Sequence, residues 1–229
     1  MPLFRLLFFV LAPLALLTAC TPAMQPPAGV PVPDAARLAD SLQQVSLPPT
    51  ARQVTFSWEL NEAGNRLRGR GVARMEAPRR VRVDLFGPRG ETYLAAALIG
   101  DSLRLPPAAA AITLPSPTLL WAAVGVLRPP SSARAEAAFR GDESATVHYG
   151  TDGERYVVQA GPAGLAEARR FRGTNQLESV VLTRAADGTL ERARYRDWAA
   201  YRDLVLSFEA TADVEAFSET IWYPQGAAR

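Results

Sequence analysis

Two side chains that could do chemistry occur only once each in this 229-residue sequence, Cys20 and His148. A histidine acts as a general base only beside a nucleophile and an acid, and His148 lies in the middle of an alternating strand pattern. The sequence has no G-x-S-x-G elbow, no glycine-rich phosphate loop and no calcium-loop spacing of acidic residues. One cysteine excludes a cysteine-clustered zinc site. The sequence therefore predicts a protein that is not an enzyme and that uses no metal or cofactor.

Cys20 follows an apolar run that begins after Arg5 and continues through Leu17. This run is too short and wrongly flanked for a stable membrane span, and residues 1–19 are typical of a secretory signal. The run ends in Leu17-Thr18-Ala19-Cys20, which resembles the lipobox of bacterial lipoproteins. The resemblance implies cleavage before Cys20, acylation of its thiol, and a membrane-lipid anchor. An ordinary signal peptide with a leftover thiol is the alternative. Many such lipoproteins stay at the inner membrane through an aspartate after the cysteine, so Thr21 implies the outer membrane.

The remainder of the chain predicts a tether followed by one domain. Residues 20–33 contain too many prolines for a helix or a central strand, which predicts an extended tether. Residues 34–229 are long enough for a single domain with a sizeable core. The formal net charge is only +2, the sequence contains no lysine, and its arginines alternate with acidic residues along the strands and interleave with apolar positions. This pattern predicts no nucleic-acid binding.

Most of that domain reads as antiparallel strands. In residues 66–75, apolar or small side chains alternate with arginines, which is the period-two pattern of a strand with one buried face. Similar patterns, separated by turn sequences, recur through residues 80–105 and 144–223, and residues 53–61 carry four large apolar side chains on one face. About ten or eleven strands result, and a sheet of that size curls or splits. We therefore predict a mainly β fold, an open antiparallel half-barrel.

Two helices are predicted to cover the concave side of this sheet. Asp34 caps a helix that ends before Pro48, and the apolar stripe of that helix predicts packing on the sheet. Ser116 and Pro117 begin a second helix, which runs through residues 119–127 almost without polar side chains. A helix that is apolar all round must be buried or must contact something apolar. A core plug and a movable lid over a cavity both fit this helix.

Large apolar side chains are predicted to converge on one interior and to line a hydrophobic cavity: Phe56, Trp58, Leu85, Leu119, Leu120, Trp121, Val124, Leu206, Phe208 and Trp222. The alternative is that these side chains fill each other's space as an ordinary core. Small residues at positions predicted to face inward favour the cavity: Gly69, Gly71, Ala73, Ala95 and Ala97. The prolines on both sides of the apolar helix would also let it move as a unit.

With these elements in place, the chain resembles the outer-membrane lipoprotein carrier superfamily, in particular its LolB-like and DUF4292-like lipoproteins. Four short segments carry the resemblance: LRGRG at 67–71, VDLFGPRG at 83–90, Asp187-Gly188, and YRDW at 195–198. The resemblance implies a half-barrel that holds acyl chains of lipoproteins or lipids. It also implies a role in lipoprotein localisation or insertion, with a periplasmic lipoprotein carrier as partner. An anchored envelope scaffold that binds a partner without transport is the alternative.

The same resemblance implies a membrane-facing loop between two strands, because the receptors of this family carry an exposed apolar residue there. By position this loop is residues 86–90, in which Phe86 and Pro88 are the candidates. The tip Pro88-Arg89-Gly90 departs from the family's pattern, because it offers no large apolar side chain.

Overall fold

The computed structural model describes residues 29–109 and 112–224. The predicted signal peptide, Cys20 and the first part of the tether lie outside these residues, so their assignments stay predictions. Thirteen strands are present in the described part: β1 Val30–Pro31, β2 Ala51–Glu62, β3 Asn65–Glu76, β4 Arg80–Phe86, β5 Thr92–Ile99, β6 Ser102–Arg104, β7 Arg134–Arg140, β8 Ala145–Thr151, β9 Glu154–Gly161, β10 Gly164–Arg172, β11 Asn175–Arg184, β12 Leu190–Asp197 and β13 Arg202–Val214.

All thirteen strands belong to one open antiparallel sheet, ordered β1-β7-β8-β9-β10-β11-β12-β13-β2-β3-β4-β5-β6. Two meanders, β2 to β6 and β7 to β13, are joined where β13 pairs with β2 from Arg202 opposite Glu62 to Val214 opposite Ala51. Because β1 and β6 remain as free edges, the sheet does not close. The predicted mainly β half-barrel is confirmed. The strand count exceeds ten or eleven because two tether residues form β1 and because β7 lies outside the stretches that were predicted as strands.

Tight turns fix the register of neighbouring strands. Between β2 and β3, Ala63 and Gly64 both adopt positive φ, at 48° and 85°. Two consecutive positive φ values match the right-handed twist of the flanking strands in a two-residue hairpin. As a result, Phe56 on β2 lies directly opposite Gly71 on β3.

The first helix, α1, spans Ala35–Ser46 and packs on β7, β8 and β10. The carboxylate of Asp34 accepts a hydrogen bond of 2.9 Å from the backbone N–H of Arg37, as predicted for its cap. The buried side chains of α1 are Leu38 and Ala39.

The second helix, α2, spans Pro117–Ala123 and packs on β10, β11 and β12. It is shorter than predicted because Gly125 takes φ +84° and turns the chain back. The Val126 N–H then donates to the Trp121 carbonyl at 3.1 Å, and the Gly125 N–H donates to Ala122 at 2.9 Å. This is a Schellman motif, in which a left-handed glycine ends a helix. None of the helices in the described residues is long and apolar enough to cross a membrane.

The C-terminal segment differs from its prediction. Instead of a final strand over residues 215–223, a 3₁₀ turn at Glu219–Trp222 contacts β4 and β5. The large apolar residues of this segment are not spaced two positions apart, as a strand with one buried face requires: Phe217, Ile221 and Trp222. Trp222 is fully buried, and its ring lies 5.8 Å from that of Phe217 and 5.0 Å from the Arg80 guanidinium. Because Arg80 extends from the outer face of β4, this turn lies on the convex side of the sheet.

Two of the alanines predicted to face inward also lie on the outer face. Ala95 is paired with Asp84 and Ala97 with Arg82, and directly paired residues share a face of the sheet. The inward residues of β5 are instead Leu94, Ala96 and Leu98, which belong to the main core cluster. Ala97 is fully buried on the outer side, where the C-terminal turn contacts β5.

Candidate functional site

An apolar hollow of about 70 Å³ lies between α2 and the middle of the sheet. Five residues from Leu114 to Val124 form its roof: Leu114, Pro115, Leu120, Ala123 and Val124. Strands β2, β4, β5, β12 and β13 form its floor: Phe56, Val83, Leu85, Leu94, Ala96, Ala193, Tyr195, Leu204 and Leu206. The one hydroxyl among them, that of Tyr195, donates a hydrogen bond of 2.6 Å to Glu178 Oε1. Burial and this neighbouring carboxylate raise the pKa of Tyr195 well above its usual value, so the phenol stays neutral.

Half of the residues predicted for the cavity line this hollow: Phe56, Leu85, Leu120, Val124 and Leu206. Phe208 lies beside it, with its ring 5.8 Å from that of Phe56 in an edge-on arrangement. Leu119 and Trp121 are fully buried on α2 as part of the surrounding core. Trp58 is buried further along β2, whereas Trp222 lies on the opposite side of the sheet and does not belong to the cavity.

The inward glycines of β3 do not leave the space that was predicted from them. A Cβ at Gly71 would lie 2.3 Å from the Phe56 ring, so that ring already fills the position. At Gly69 a Cβ would meet the Phe86 carbonyl oxygen at 1.9 Å and the Trp58 indole nitrogen at 3.0 Å. The indole N–H donates to the Arg70 carbonyl at 3.0 Å. These glycines let two aromatic rings lie against the strand.

The hollow is small for a ligand site. An apolar cavity of roughly 150 Å³ admits one benzene molecule, and this hollow has about half that volume. The structure therefore shows a closed state with room for a few methylene groups. A complete acyl chain would require α2 to move away from the sheet.

Polar contacts hold the chain on both sides of α2. Before the helix, the Arg202 guanidinium donates to the Thr113 carbonyl and pairs with Glu62. After it, the Leu127 N–H donates to Ser46 Oγ at 2.9 Å. These contacts delimit a segment, residues 113–127, that packs on the sheet mainly through apolar side chains.

A further ion pair, 2.7 Å between Arg128 Nη1 and Asp101 Oδ1, joins the end of this segment to the β5–β6 turn. Hydrogen bonding from Ser131 and the nearby Arg128 charge lower the pKa of Asp101, against the effect of its partial burial. Asp101 therefore stays ionised at neutral pH and remains able to pair with Arg128.

Solved structures share this architecture. The LolA superfamily protein NE2245 from Nitrosomonas europaea is similar over 81% of this chain and 97% of its own, with a TM-score of 0.54 and 11% identity. The chain has the LolA-superfamily fold. An outer membrane lipoprotein-sorting protein domain from Vibrio parahaemolyticus covers 82% of this chain and 94% of its own, with a TM-score of 0.51 and 11% identity. No family model and no curated protein matches the sequence. The resemblance predicted from the sequence is confirmed for the fold.

The loop predicted to face the membrane follows β4 of this LolA-superfamily fold. Its backbone is closed by a 2.8 Å hydrogen bond from the Gly87 N–H to the Glu91 carbonyl. Pro88 is exposed at the tip, whereas Phe86 is half-buried at the base. Both side chains border a concavity on the outer face of the sheet, and their contact with a membrane stays a prediction.

That concavity, which we call the outer trough, has a volume of about 1020 Å³. Its floor follows the strand register, in which Arg192 is opposite Ser207, Ser207 opposite Ser57, and Ser57 opposite Arg70. Five arginines line it against two glutamates: Arg66, Arg68, Arg70, Arg192 and Arg194, with Glu59 and Glu209. Only two of these arginines, Arg66 and Arg194, have acidic partners among the described residues. The outer trough is therefore positively charged.

His148 occupies a half-buried position on β8, with its ring 5.4 Å from that of Phe139. Burial, and then the positive charges of Arg155 and Arg169, lower its pKa, so the imidazole is neutral at physiological pH. Within the described ranges, no group of three or more His, Cys, Asp or Glu side chains could hold a metal ion.

Proposed function

We propose that this chain is a lipid-anchored protein on the periplasmic face of the outer membrane that binds acyl chains beneath α2. In this proposal it acts in lipoprotein localisation or insertion, receives its cargo from a periplasmic carrier and catalyses no reaction. The observation that carries the proposal is the apolar hollow under a short helix. The lipobox-like segment at Cys20 and the LolA-superfamily fold support it.

The energetics suit a transfer protein. Each buried methylene group contributes about 0.8 kcal/mol, so a tail that inserts between α2 and the sheet is held by burial alone, without a polar contact. The same gain is available in a bilayer, because lipid tails provide an equally apolar surrounding. Binding and release would therefore be nearly balanced, and the direction of transfer would depend on which apolar site is empty.

Native mass spectrometry of the full chain, purified from cells, tests this function. We expect a non-covalent lipid that dissociates on collisional activation, whereas an acyl group on Cys20 remains attached. Leu120→Gln, which places an amide in the roof of the hollow, should lose most of the bound lipid because a buried amide without partners is costly.

Leu103→Gln is the matched control, because Leu103 is an exposed leucine on the edge strand β6. This variant should keep the lipid. A wild-type protein that carries no non-covalent lipid, even after incubation with phospholipid vesicles, would contradict acyl-chain binding.

The outer trough favours a second function, that of an anchored scaffold that binds an acidic partner segment. Guanidinium groups bind carboxylates bidentately, and Arg68 and Arg70 lie on neighbouring rows of the trough. A polyglutamate peptide should bind the full chain, more weakly as salt rises. Arg68→Ser combined with Arg70→Ser should weaken this binding at least fivefold.

The control for the scaffold is Arg79→Ser combined with Arg89→Ser, since both arginines are exposed and lie outside the trough. If the control pair weakened peptide binding equally, the attraction would be non-specific, and the trough would not be the binding site. This scaffold function does not use the hollow, so the lipid measurements above distinguish it from acyl-chain binding.

A further inference from the structure

A third concavity, which we call the rim pocket, opens beside the apolar hollow at one rim of the concave face. Its volume is about 420 Å³, and it lies between the end of α1, the β11–β12 turn and the residues that follow α2. Val124 lines both the rim pocket and the hollow. Phe208 lines the rim pocket and packs against Phe56 of the hollow. The two spaces are therefore neighbours, separated by Val124 and Phe208.

The rim pocket contains a half-buried arginine, Arg184, at the end of β11. Its Nη1 donates to the Gly188 carbonyl at 2.9 Å, and its Nε is 3.4 Å from the Leu165 carbonyl oxygen. No carboxylate among the described residues forms an ion pair with it. Burial lowers the pKa of Arg184, and no acidic neighbour opposes this effect.

Three other inward arginines of the sheet are paired with acidic side chains. Arg170 lies 2.7 Å from Glu178 and also pairs with Glu154, and Arg202 pairs with Glu62. These pairs lie at the opposite rim of the concave face, where β11 begins. Within the rim pocket itself, Arg52 is engaged by Asp213 at 2.8 Å. Arg184 is therefore an inward cation for which the described residues supply no counter-charge.

Burying a charged group without a counter-charge costs free energy, and an anion bound in the rim pocket would offset this cost for Arg184. Nη2 of Arg184 donates to none of the described residues, and it lies beside Gly125, at which a Cβ would be only 3.0 Å from this nitrogen. A planar guanidinium binds carboxylate or phosphate oxygens through two parallel hydrogen bonds. Next to this charge lies the apolar hollow, which a hydrocarbon tail would enter once α2 moves away from the sheet.

We propose that Arg184 binds the anionic head group, a carboxylate or a phosphate, of an amphiphile whose tail passes Val124 and Phe208 into the hollow. This inference rests on the proposed acyl-chain binding and narrows it to lipids with a negatively charged head group. The tail provides affinity through burial, and Arg184 selects the head group and fixes which end of the lipid stays at the rim.

The test compares cis-parinaric acid, a fluorescent fatty acid, with its uncharged methyl ester on the purified full chain. The wild type should bind the acid at least tenfold more tightly than the ester, because only the acid pairs with Arg184. Arg184→Met should reduce affinity for the acid about tenfold and leave affinity for the ester unchanged. Arg184→Lys keeps the charge and should keep a preference for the acid.

Arg68→Met is the matched control, because it removes the same charge from the outer trough on the opposite face. It should leave both affinities unchanged. If Arg184→Met does not fold, as judged by circular dichroism, the wild-type and Arg184→Lys preferences still decide the question.

Equal wild-type affinities for acid and ester would overturn the head-group site while leaving acyl-chain binding intact. Absence of binding by both probes would overturn the two proposals together. Displacement of the probe by lysophosphatidic acid or palmitate then identifies phosphate or carboxylate as the better head group. Lysophosphatidylcholine, whose head group has no net charge, should displace it at least tenfold less well, and equal displacement would overturn the site.

Discussion

Ala123→Leu should weaken acyl-chain binding by up to about fiftyfold while the protein stays folded. Ala123 is half-buried on α2 and forms part of the roof of the 70 Å³ hollow. Leucine adds three carbons, each worth roughly 0.8 kcal/mol when it fills apolar space. The added side chain therefore stabilises the closed state, in which α2 packs on the sheet, by about 2.4 kcal/mol. A tail that binds only after α2 moves must overcome this added stability, so its affinity falls. Titration with the methyl ester of cis-parinaric acid measures the affinity.

The midpoint of urea unfolding should rise in Ala123→Leu, because the leucine fills a void and stabilises the folded, closed state. The control is Ala210→Leu, which adds the same group at an exposed position of β13 and should change neither the affinity nor the midpoint appreciably. Undiminished ester binding by Ala123→Leu, together with a raised unfolding midpoint, would place the tail somewhere other than beneath α2.

Trp222→Ala should have the opposite pattern, with a large loss of stability and no change in acyl-chain affinity. The indole is fully buried against Phe217 and Arg80, and loss of such a ring costs about 3–5 kcal/mol in the free energy of unfolding. Because Trp222 lies on the convex side, its removal leaves the hollow intact. Urea unfolding followed by far-ultraviolet circular dichroism gives the stability, and the ester titration gives the affinity.

Phe56→Ala is the comparison for Trp222→Ala. It should lower the free energy of unfolding by a similar amount, because Phe56 is also almost fully buried. Unlike Trp222→Ala, it should weaken ester binding, because the Phe56 ring forms part of the hollow's floor. If Trp222→Ala weakened ester binding as much as Phe56→Ala, the two faces of the sheet would not be independent.

Local patterns predicted the sheet well where polar and apolar residues alternate. Arginines mark the outer face of β3 and β4, and Ala73, Met75 and Val81 are buried on the inner face, as a period of two requires. The pattern fails in β5, where TYLAAALI is almost entirely apolar or small. A register irregularity after Leu85 then decides which alanines face inward, and nothing in the local sequence reveals it.

The alternation of polar and apolar residues did not predict where α2 ends, how the C-terminal segment folds, or that β1 forms. Gly125 could have indicated the end of α2, because glycine commonly follows the last helical residue, but the apolar run continued past it. The C-terminal turn could not be predicted locally, since Trp222 is buried by contacts with β4, about 140 residues earlier in the chain. Strand β1 likewise exists only because tether residues pair with β7.

The candidate site was predicted in part. Phe56, Leu85 and Leu206 line the hollow because their strands alternate clearly, whereas the space expected above Gly71 is filled by a ring from the neighbouring strand. Arg184 was missed although the sequence holds a signal for it. Val180 and Leu182 are buried inward residues of β11, and the same period of two places Arg184 next in line.

The short edge strand β1 also limits how far one edge of the sheet can lie from a membrane to which Cys20 is anchored. Val30 is ten positions after Cys20, and a fully extended chain over ten steps reaches about 35 Å at most. An acyl group on Cys20 would thus keep the β7 border of the sheet within one bilayer thickness of the lipid surface. Pro31 in β1 has no backbone N–H to donate to a further strand. The tether residues that form β1 therefore also hinder pairing of this sheet edge with strands of other molecules.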